Sequence, residues 1–260
     1  MEPHAFVKEV YRRMSLRHAT ERPRPSWTEM KGQPQVLQAM HEMRSLLPQD
    51  KGSAILDIGF GTGWFLAACL NLAYSNLSGA DFGIANKDYV RAWRPESIAL
   101  CEIEDNIGNF LSDRALCYDF IHMSHVIEHI PKYSLLWVVD ALYQALKPGG
   151  TLMLRTPNME GPCANSSFYV TLAHEYGFSS SNLRSLLDIC GFDNLRLHRL
   201  TTFRPSLKQR AGIAARLVFL KESAIKHRLF GANTDGIYDD ELVVTARRGE
   251  MAPLFDPKYR

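Results

Sequence analysis

The stretch SHVIEHIP, residues 124–131, places two imidazoles and a carboxylate within five positions. His125, Glu128 and His129 form the pattern H-x-x-E-H, which supplies ligands in one class of zinc peptidases. Chelation through this pattern requires a continuous helix, because a helix presents both imidazoles on one face. Here an apolar strand leads directly into the pattern and Pro131 follows closely, which leaves little room for a helix. We therefore predict a loop at this position and no bound metal.

A glycine loop precedes this segment in the chain. The stretch AILDIGFGTGWF predicts a strand at 54–58, then Gly59, Gly61 and Gly63, and then a helix. Glycine allows a sharp turn and the close approach of a ligand that a Cβ would exclude. The spacing is G-x-G-x-G, whereas dinucleotide-binding loops carry G-x-G-x-x-G. Asp57 lies just before the loop, and a carboxylate there disfavours a pyrophosphate and favours a cationic group, such as the ammonium of an amino acid.

A second carboxylate follows at the end of the next predicted strand, NLSGADFG. Asp81 comes 24 positions after Asp57, where an acidic side chain would accept hydrogen bonds from ribose hydroxyls. The alternative for the whole region is a tight strand–helix turn that binds no ligand.

The elements that position these residues alternate between strands and helices. Seven stretches indicate strands: SAILDIG, NLSGADFG, SIALCEIE, CYDFIHMS, TLMLRTPN, DNLRLHRLT and DELVVTARR. Helical patterns separate most of them, including GWFLAACLNLAY, SLLWVVDALYQALKPGG and SSSNLRSLLDICGF. The second of these helices is predicted to stop at residues 147–150, Lys-Pro-Gly-Gly. This alternation predicts an α/β fold, with a mostly parallel sheet covered by helices on both faces.

Composition narrows the classes of protein to which this chain can belong. Its 260 residues suffice for one large α/β domain with additions, or for two small domains. Lys plus Arg number 30 and Asp plus Glu 28, and the net charge of +2 gives no case for nucleic-acid binding. The five cysteines form no C-x-x-C pair, and the charged N-terminal stretch lacks the apolar core of a secretory signal. We expect a cytoplasmic protein.

Five motifs together resemble class I S-adenosylmethionine-dependent methyltransferases, and specifically the type 11/type 23 family. LDIGFGTG, GADFG, YDFIHMSHVIEHIP, ALKPGGTLMLRTPN and FSSSNLRSLLDICGF occur in that order, over roughly residues 50–200. The resemblance implies a Rossmann-like, seven-stranded sheet whose last strand is antiparallel. It also implies S-adenosyl-L-methionine as the cofactor.

The resemblance implies several contacts with the cofactor. The glycine loop would wrap the methionine part, the acidic residue after the second strand would hold the ribose, and Phe82 would lie beside the adenine. The first residues of SHVIEH would contact the cofactor largely through their backbone. Near the adenine amine, the family's usual Gly-Asp pair is missing, so CEIEDNI offers either Glu104 or Asp105. The implied cofactor-binding residues are Asp57, Gly59, Phe60, Gly61, Gly63, Asp81, Phe82, Glu104, Asp105, Ser124 and His125.

Two histidines are candidates for the chemistry itself. For methyl transfer to a hydroxyl, the protein must supply position and a base, and a neutral imidazole suits that role near neutral pH. His129 lies in the predicted turn after the fourth strand, and His174 lies in LAHEYGFS after the fifth. Both loops should open at the same edge of the sheet. For each histidine, the alternative is a structural hydrogen bond to a loop carbonyl.

Three segments lie outside the core of the resemblance. Residues 1–48 are predicted to form an N-terminal helical lid, and residues 251–260 a C-terminal tail. The methyltransferase domain would span 49–250, with a helical insert at 203–237. Because the insert is basic and amphipathic, it could lie on the inner face of the cell membrane, cap the sheet or form a homodimer contact.

The function predicted from the sequence is O-methylation of a sugar or glycan hydroxyl in surface-polysaccharide biosynthesis. One alternative is methylation of a small metabolite or quinone-type ring. The other is a non-catalytic, cofactor-binding subunit of a partner enzyme. The partner expected in the first two cases is a small-molecule or glycan acceptor.

Overall fold

The computed structural model describes most of the chain. The described residues are 9–10, 13, 24–93, 98–199, 201, 203, 217–218, 220–222, 224–225, 228–229 and 239–255. The first half of the predicted lid, residues 1–23, and the predicted insert at 203–237 lie largely outside these residues. Among the described helices, none combines the length and the apolar composition that crossing a bilayer requires.

Seven strands form one mixed sheet in the order β3-β2-β1-β4-β5-β7-β6. The strands β1 to β5 pair in parallel, whereas β7 is antiparallel to both β5 and β6. This topology confirms the predicted seven-stranded, mostly parallel sheet with an antiparallel last strand. The strands are β1 Ile55–Ile58, β2 Leu77–Asp81, β3 Ile98–Glu102, β4 Tyr118–Ser124, β5 Leu146–Pro157, β6 Phe192–His198 and β7 Glu241–Arg248.

Helices cover both faces of the sheet, as the alternating pattern predicted. The described helices are α1 Trp27–Lys31, α2 Pro34–Met43, α3 Trp64–Asn71, α4 Ile84–Trp93, α5 Ile107–Ser112, α6 Lys132–Ala145, α7 Ala164–Phe168 and α8 Ser180–Ile189. Local sequence explains several of their ends. Ser26 and Ser179 form capping boxes at the starts of α1 and α8, and Gly191 adopts φ +88° just after α8.

Alternate residues along the central strands face two separate cores. Leu56, Ile121 and Leu152 pack against a layer that includes α5, α6 and α8. Their neighbours Ile55 and Phe120 pack on the opposite face, in a layer that includes α1 to α4. Because both faces are buried, these strands appear in the sequence as continuous apolar runs.

One boundary differs from the prediction. Helix α6 ends at Ala145, before the predicted Lys-Pro-Gly-Gly stop, and β5 already begins at Leu146. The residue before a proline is disfavoured in the helical region, so Pro148 keeps Lys147 out of the helix. Lys147 instead pairs with Asp119 at 2.7 Å, near the start of β4.

Candidate active site

Neighbouring cavities open at the carboxyl edge of the sheet, and His125 lines three of them. The first, of about 560 Å³, lies between the glycine loop and α2. The second, of about 230 Å³, runs from Asp81 to the start of α6. The third, of about 610 Å³, lies between the end of β5 and the start of β7. His125 adopts φ +54°, so the chain turns sharply where β4 ends.

The three glycines of the loop have positive φ but different surroundings. A Cβ at Gly59 would overlap the side chain of Val126, and a Cβ at Gly63 would lie 2.8 Å from atoms of Trp93 and Val90. Gly61, at φ +52°, has no atom within 4 Å of its Cβ position and lines the first two cavities. Gly59 and Gly63 therefore permit close packing, while Gly61 leaves room beside the loop for a ligand.

Asp57 forms a buried pair that the sequence reasoning missed. Its carboxylate lies 2.7 Å from Nδ1 of His122, the residue paired with it across β1 and β4. The His122 ring also stacks on Phe65, with 3.9 Å between ring centroids. Burial raises the pKa of Asp57, and the nearby imidazole opposes that rise. One sequence signal for this pair exists, since His122 is a histidine within the otherwise apolar strand CYDFIHMS. The sequence alone does not show that it lies beside Asp57.

His122 also faces the first cavity with a polar atom that needs a partner. Its Nε2 is buried, and within the described part of the chain no group forms a hydrogen bond to it. Buried polar atoms of this kind are normally satisfied, so a ligand or a water molecule is expected there. The first cavity is therefore built to receive a polar group beside Asp57.

Asp81 is held by hydrogen bonds at the boundary between the first and second cavities. Its carboxylate accepts from the backbone N–H of Gly61 at 2.8 Å and of Gly83 at 2.7 Å, and from the amide of Asn86 at 3.1 Å. Burial raises the pKa of Asp81, and these hydrogen bonds oppose the rise. The same carboxylate that would hold a ribose thus also fixes the glycine loop.

The remaining predicted cofactor contacts differ in position. Phe60 and Ser124 line the first cavity, and Phe82 and Asp105 line the second. Glu104 is exposed and does not line either cavity. Of the two acidic alternatives after β3, the structure therefore brings Asp105 to the site.

A network of charged side chains lies at the third cavity. His125 places Nδ1 3.3 Å from Glu128 and Nε2 3.0 Å from Glu241. Burial lowers the pKa of His125, but the hydrogen bonds to these two carboxylates outweigh it and raise the pKa to about 9. Arg155 donates to Glu241 at 2.7 Å and to Glu42 of α2 at 3.1 Å. The network links α2, β5 and β7, and sequence reasoning identified none of Glu42, Arg155 and Glu241.

The two candidate bases converge, as predicted for loops at one edge of the sheet. The ring centroids of His129 and His174 are 4.6 Å apart. Nδ1 of His129 lies 2.9 Å from the carbonyl of Ala173, and Nδ1 of His174 lies 2.7 Å from the carbonyl of Phe168. Because a carbonyl only accepts, each Nδ1 carries a proton, and the lone pair of the neutral form of each ring is on Nε2. Burial lowers the pKa of His129.

The residues at the first two cavities fit S-adenosylmethionine. An amino-acid end suits the pocket beside Asp57 and the unsatisfied Nε2 of His122, and a nucleoside end suits Asp81 and Phe82. Gly61 leaves space between the two ends. A parallel sheet of this order, with an antiparallel β7, a glycine loop after β1 and an acidic residue after β2, defines the class I methyltransferases.

A family model described as a methyltransferase domain (Methyltransf_23) matches residues 31–197, and the chain belongs to this family. The prediction of a class I S-adenosylmethionine-dependent methyltransferase is confirmed, together with its cofactor. H-x-x-E-H also has the predicted loop form, since residues 127–129 make a single 3₁₀ turn before α6. The prediction that the H-x-x-E-H set of His125, Glu128 and His129 binds no metal stays a prediction.

Two kinds of similar protein support this placement. The ubiquinone biosynthesis O-methyltransferase of Salmonella typhi is 26% identical over 141 residues, which cover 52% of this chain and 57% of that protein. Its mitochondrial counterpart in Rattus norvegicus is 26% identical over 174 residues, with 58% and 46% covered. The chain therefore spans about half the length of the curated relatives that it matches. A methyltransferase structure from Archaeoglobus fulgidus shares the fold, with a TM-score of 0.56, 18% identity and coverage of 84% and 96%.

Proposed function

We propose that this chain transfers the methyl group of S-adenosylmethionine to a hydroxyl oxygen of a small-molecule acceptor. The observation that supports this proposal most is the convergence of His129 and His174 from different loops. His129 lines the second cavity and His174 lines the third, so the pair lies between the cofactor side and an open space for an acceptor. A hydroxyl must lose its proton on methylation, and imidazoles are groups that assist this loss.

The residues of the chain mainly position the reactants. When bound, the cofactor supplies a methyl group on a positively charged sulfur, which is already electrophilic. Asp57 and Asp81 would hold its two ends. In-line attack depends on how the two reactants are aligned, and holding them in position lowers the barrier to reaction. In the simplest form of the mechanism, Nε2 of His129 or His174 accepts the proton of the acceptor hydroxyl.

The first candidate acceptor is a ring hydroxyl on a quinone-type or phenolic molecule. The support is the similarity to O-methyltransferases of ubiquinone biosynthesis, at 25–26% identity. The second candidate is a sugar or glycan hydroxyl, as predicted from the sequence. The polar lining of the third cavity favours it, because Ser166, Ser167, Asp240 and Glu241 could hydrogen-bond several hydroxyls.

The test is a transfer assay with cofactor that carries an isotopically labelled methyl group. The acceptors are a series of catechols and phenols with and without an apolar tail, and a matched series of free and nucleotide-linked sugars. We expect labelled methyl ethers from the ring series. Label in the sugar series alone would establish the second candidate.

A third outcome would contradict the proposal itself. Tight binding of S-adenosylhomocysteine by calorimetry, without transfer to any hydroxyl, would indicate a cofactor-binding subunit of a partner enzyme. The variant Asp57→Ala serves as the control in the assay, because it should weaken cofactor binding and reduce transfer together.

A further inference from the structure

Three side chains that could ligate a metal ion lie together where the second and third cavities approach each other. One ligand atom from each of Glu128, His129 and His174 lies within 4.8 Å of the others. Glu128 and His129 come from the turn after β4, and His174 comes from the segment between α7 and α8. Glu128 is 1% exposed, and both histidines are partly buried. The cluster differs from the H-x-x-E-H pattern, because its third member is His174 and not His125.

Hydrogen bonds to backbone carbonyls hold both imidazoles in place. Each Nδ1–H points to a backbone carbonyl, that of Ala173 for His129 and that of Phe168 for His174. In metal sites such a second hydrogen bond fixes the tautomer and the ring orientation, and it leaves Nε2 to bind the metal. Both hydrogen bonds are made to carbonyls of the same short segment, residues 168–173, so the two rings are positioned together.

Glu128 connects the turn after β4 to the segment that carries His174. Its backbone carbonyl accepts from the N–H groups of Glu175 at 2.7 Å and Tyr176 at 3.1 Å. Its carboxylate accepts from the hydroxyl of Thr156 at 3.1 Å and lies 3.3 Å from Nδ1 of His125. A buried carboxylate is costly unless cations or donors surround it, and an ion between the three ligands would add to that compensation.

The spacing allows a shared ion once the side chains rotate. Nitrogen and oxygen ligands lie about 2.0–2.2 Å from a bound Zn²⁺, which places two ligands of a tetrahedral site about 3.4 Å apart. The three ligand atoms lie within 4.8 Å of one another, so side-chain rotation must shorten the longest of these distances by up to about 1.4 Å. Two imidazoles and one carboxylate form the donor set of many catalytic zinc sites and of other first-row metal sites with open positions.

We propose that Glu128, His129 and His174 bind one divalent first-row transition metal ion. The hydroxyl oxygen of the methyl acceptor would bind at an open coordination position of this ion. The binding of the ion is independent of the proposed function; its catalytic role rests on that function. An acceptor with two neighbouring oxygens, such as a catechol or a vicinal diol, would chelate it.

Coordination weakens the O–H bond of the acceptor, and the proton leaves to solvent through the open third cavity. The resulting oxygen lone pair forms the new O–C bond to the methyl group. The electrons of the breaking S–C bond stay on sulfur. In this form of the mechanism, the histidines orient the oxygen and do not take its proton.

The test is metal binding by the purified full chain after treatment with a chelator. Mn²⁺, Co²⁺ and Zn²⁺ are titrated in turn by calorimetry, and the visible absorption of bound Co²⁺ reports its ligands. We expect one ion per chain. His174→Gln should weaken its binding at least about 10–100-fold, the range seen when even a supporting group is lost. His174→Asp, which restores a ligand, should recover part of the affinity and keeps the test valid if another variant folds poorly.

Two further variants separate this site from the alternatives. His125→Gln should bind the ion with an affinity within a few-fold of the wild type. If His125→Gln instead lost the ion, the ligand set would be H-x-x-E-H. His41→Gln, on the exposed side of α2, is the matched surface control. No saturable binding of any of the three ions, or binding that His174→Gln leaves unchanged, would overturn the proposal. One bound ion without methyl transfer would keep the site and reject the proposed function.

Discussion

The two sides of the active site are built in opposite ways. On the cofactor side, Asp57, Gly61 and Asp81 come from one short stretch, residues 57–81, and from two neighbouring strands. Their groups are satisfied by backbone N–H groups and by one buried imidazole. On the acceptor side, the charged groups come from distant segments, with Arg155 in β5 and Glu241 in β7. Arg155 also reaches Glu42 of α2, on the cofactor side.

The cofactor side is thus specified by residues close in sequence, whereas the acceptor side is assembled from residues far apart in sequence. The cofactor side depends on strand order and on a loop that a few consecutive residues specify. The acceptor side depends on ion pairs among side chains that meet only after the whole sheet has formed. We therefore expect changes on the cofactor side to alter cofactor affinity, and changes on the acceptor side to alter turnover or folding stability.

The largest effect is expected at the two converging imidazoles. His129→Gln or His174→Gln should lower kcat by about 10²–10⁴-fold and leave the affinity for S-adenosylhomocysteine unchanged, because neither residue holds the cofactor. Steady-state kinetics and calorimetry on the same samples measure both quantities. A change in kcat below about threefold for both variants would remove these residues from the chemistry. His41→Gln is again the control.

The next effect tests the cofactor side. Asp57→Ala should weaken S-adenosylhomocysteine binding by about 1–3 kcal/mol, because a charge-assisted contact to the amino-acid end is lost. Calorimetry gives the affinity, and thermal unfolding shows whether the loss of the His122 contact has disturbed the fold. Unchanged affinity in a folded variant would place the amino-acid end elsewhere.

A smaller effect is expected at Asp81. Its carboxylate already accepts three protein hydrogen bonds, so fewer acceptor sites are left for a ribose. Asp81→Ala should weaken cofactor binding by about 1–2 kcal/mol, and Asp81→Glu by less. Equal affinities for the wild type and both variants would show that the ribose does not reach the end of β2.

The smallest effect concerns stability on the acceptor side. Burial raises the pKa of Glu241, but His125 and Arg155 outweigh burial and lower it from 4.5 to about 2. A depressed carboxyl pKa stabilises the fold above the unfolded value and loses that contribution as pH falls toward the folded value. Glu241→Gln should therefore cost roughly 1 kcal/mol at neutral pH, after screening by water, and the deficit should shrink below about pH 4.5.

Denaturant titrations of the wild type and Glu241→Gln at several pH values measure this deficit. A deficit that stays constant between pH 7 and about pH 3 would mean that the charge of Glu241 does not matter for stability.

The sequence predicted the sheet well because its strands are short apolar runs bounded by clear turns. The glycine loop and both cofactor carboxylates were also predictable, since each lies at the end of such a strand. Arg155 and Glu241 were not, because a single charged residue near the end of a strand looks like an ordinary strand position. Their pairing follows from the antiparallel register, in which Pro157 lies opposite Glu241. The tautomers of His129 and His174 were not predictable either, because they are set by hydrogen bonds to loop carbonyls, which no sequence pattern indicates.

The position of Arg155 has a consequence for how the two ligands influence each other. Its guanidinium lines both the first and the third cavity, and it holds one carboxylate from each side, Glu42 and Glu241. An acceptor that bound Glu241 would compete with this guanidinium, whose other partner, Glu42, forms part of the cofactor cavity. Thermodynamic linkage is reciprocal, so whatever factor the acceptor imposed on cofactor affinity, the cofactor would impose on acceptor affinity. A single cation would thus couple the two binding equilibria.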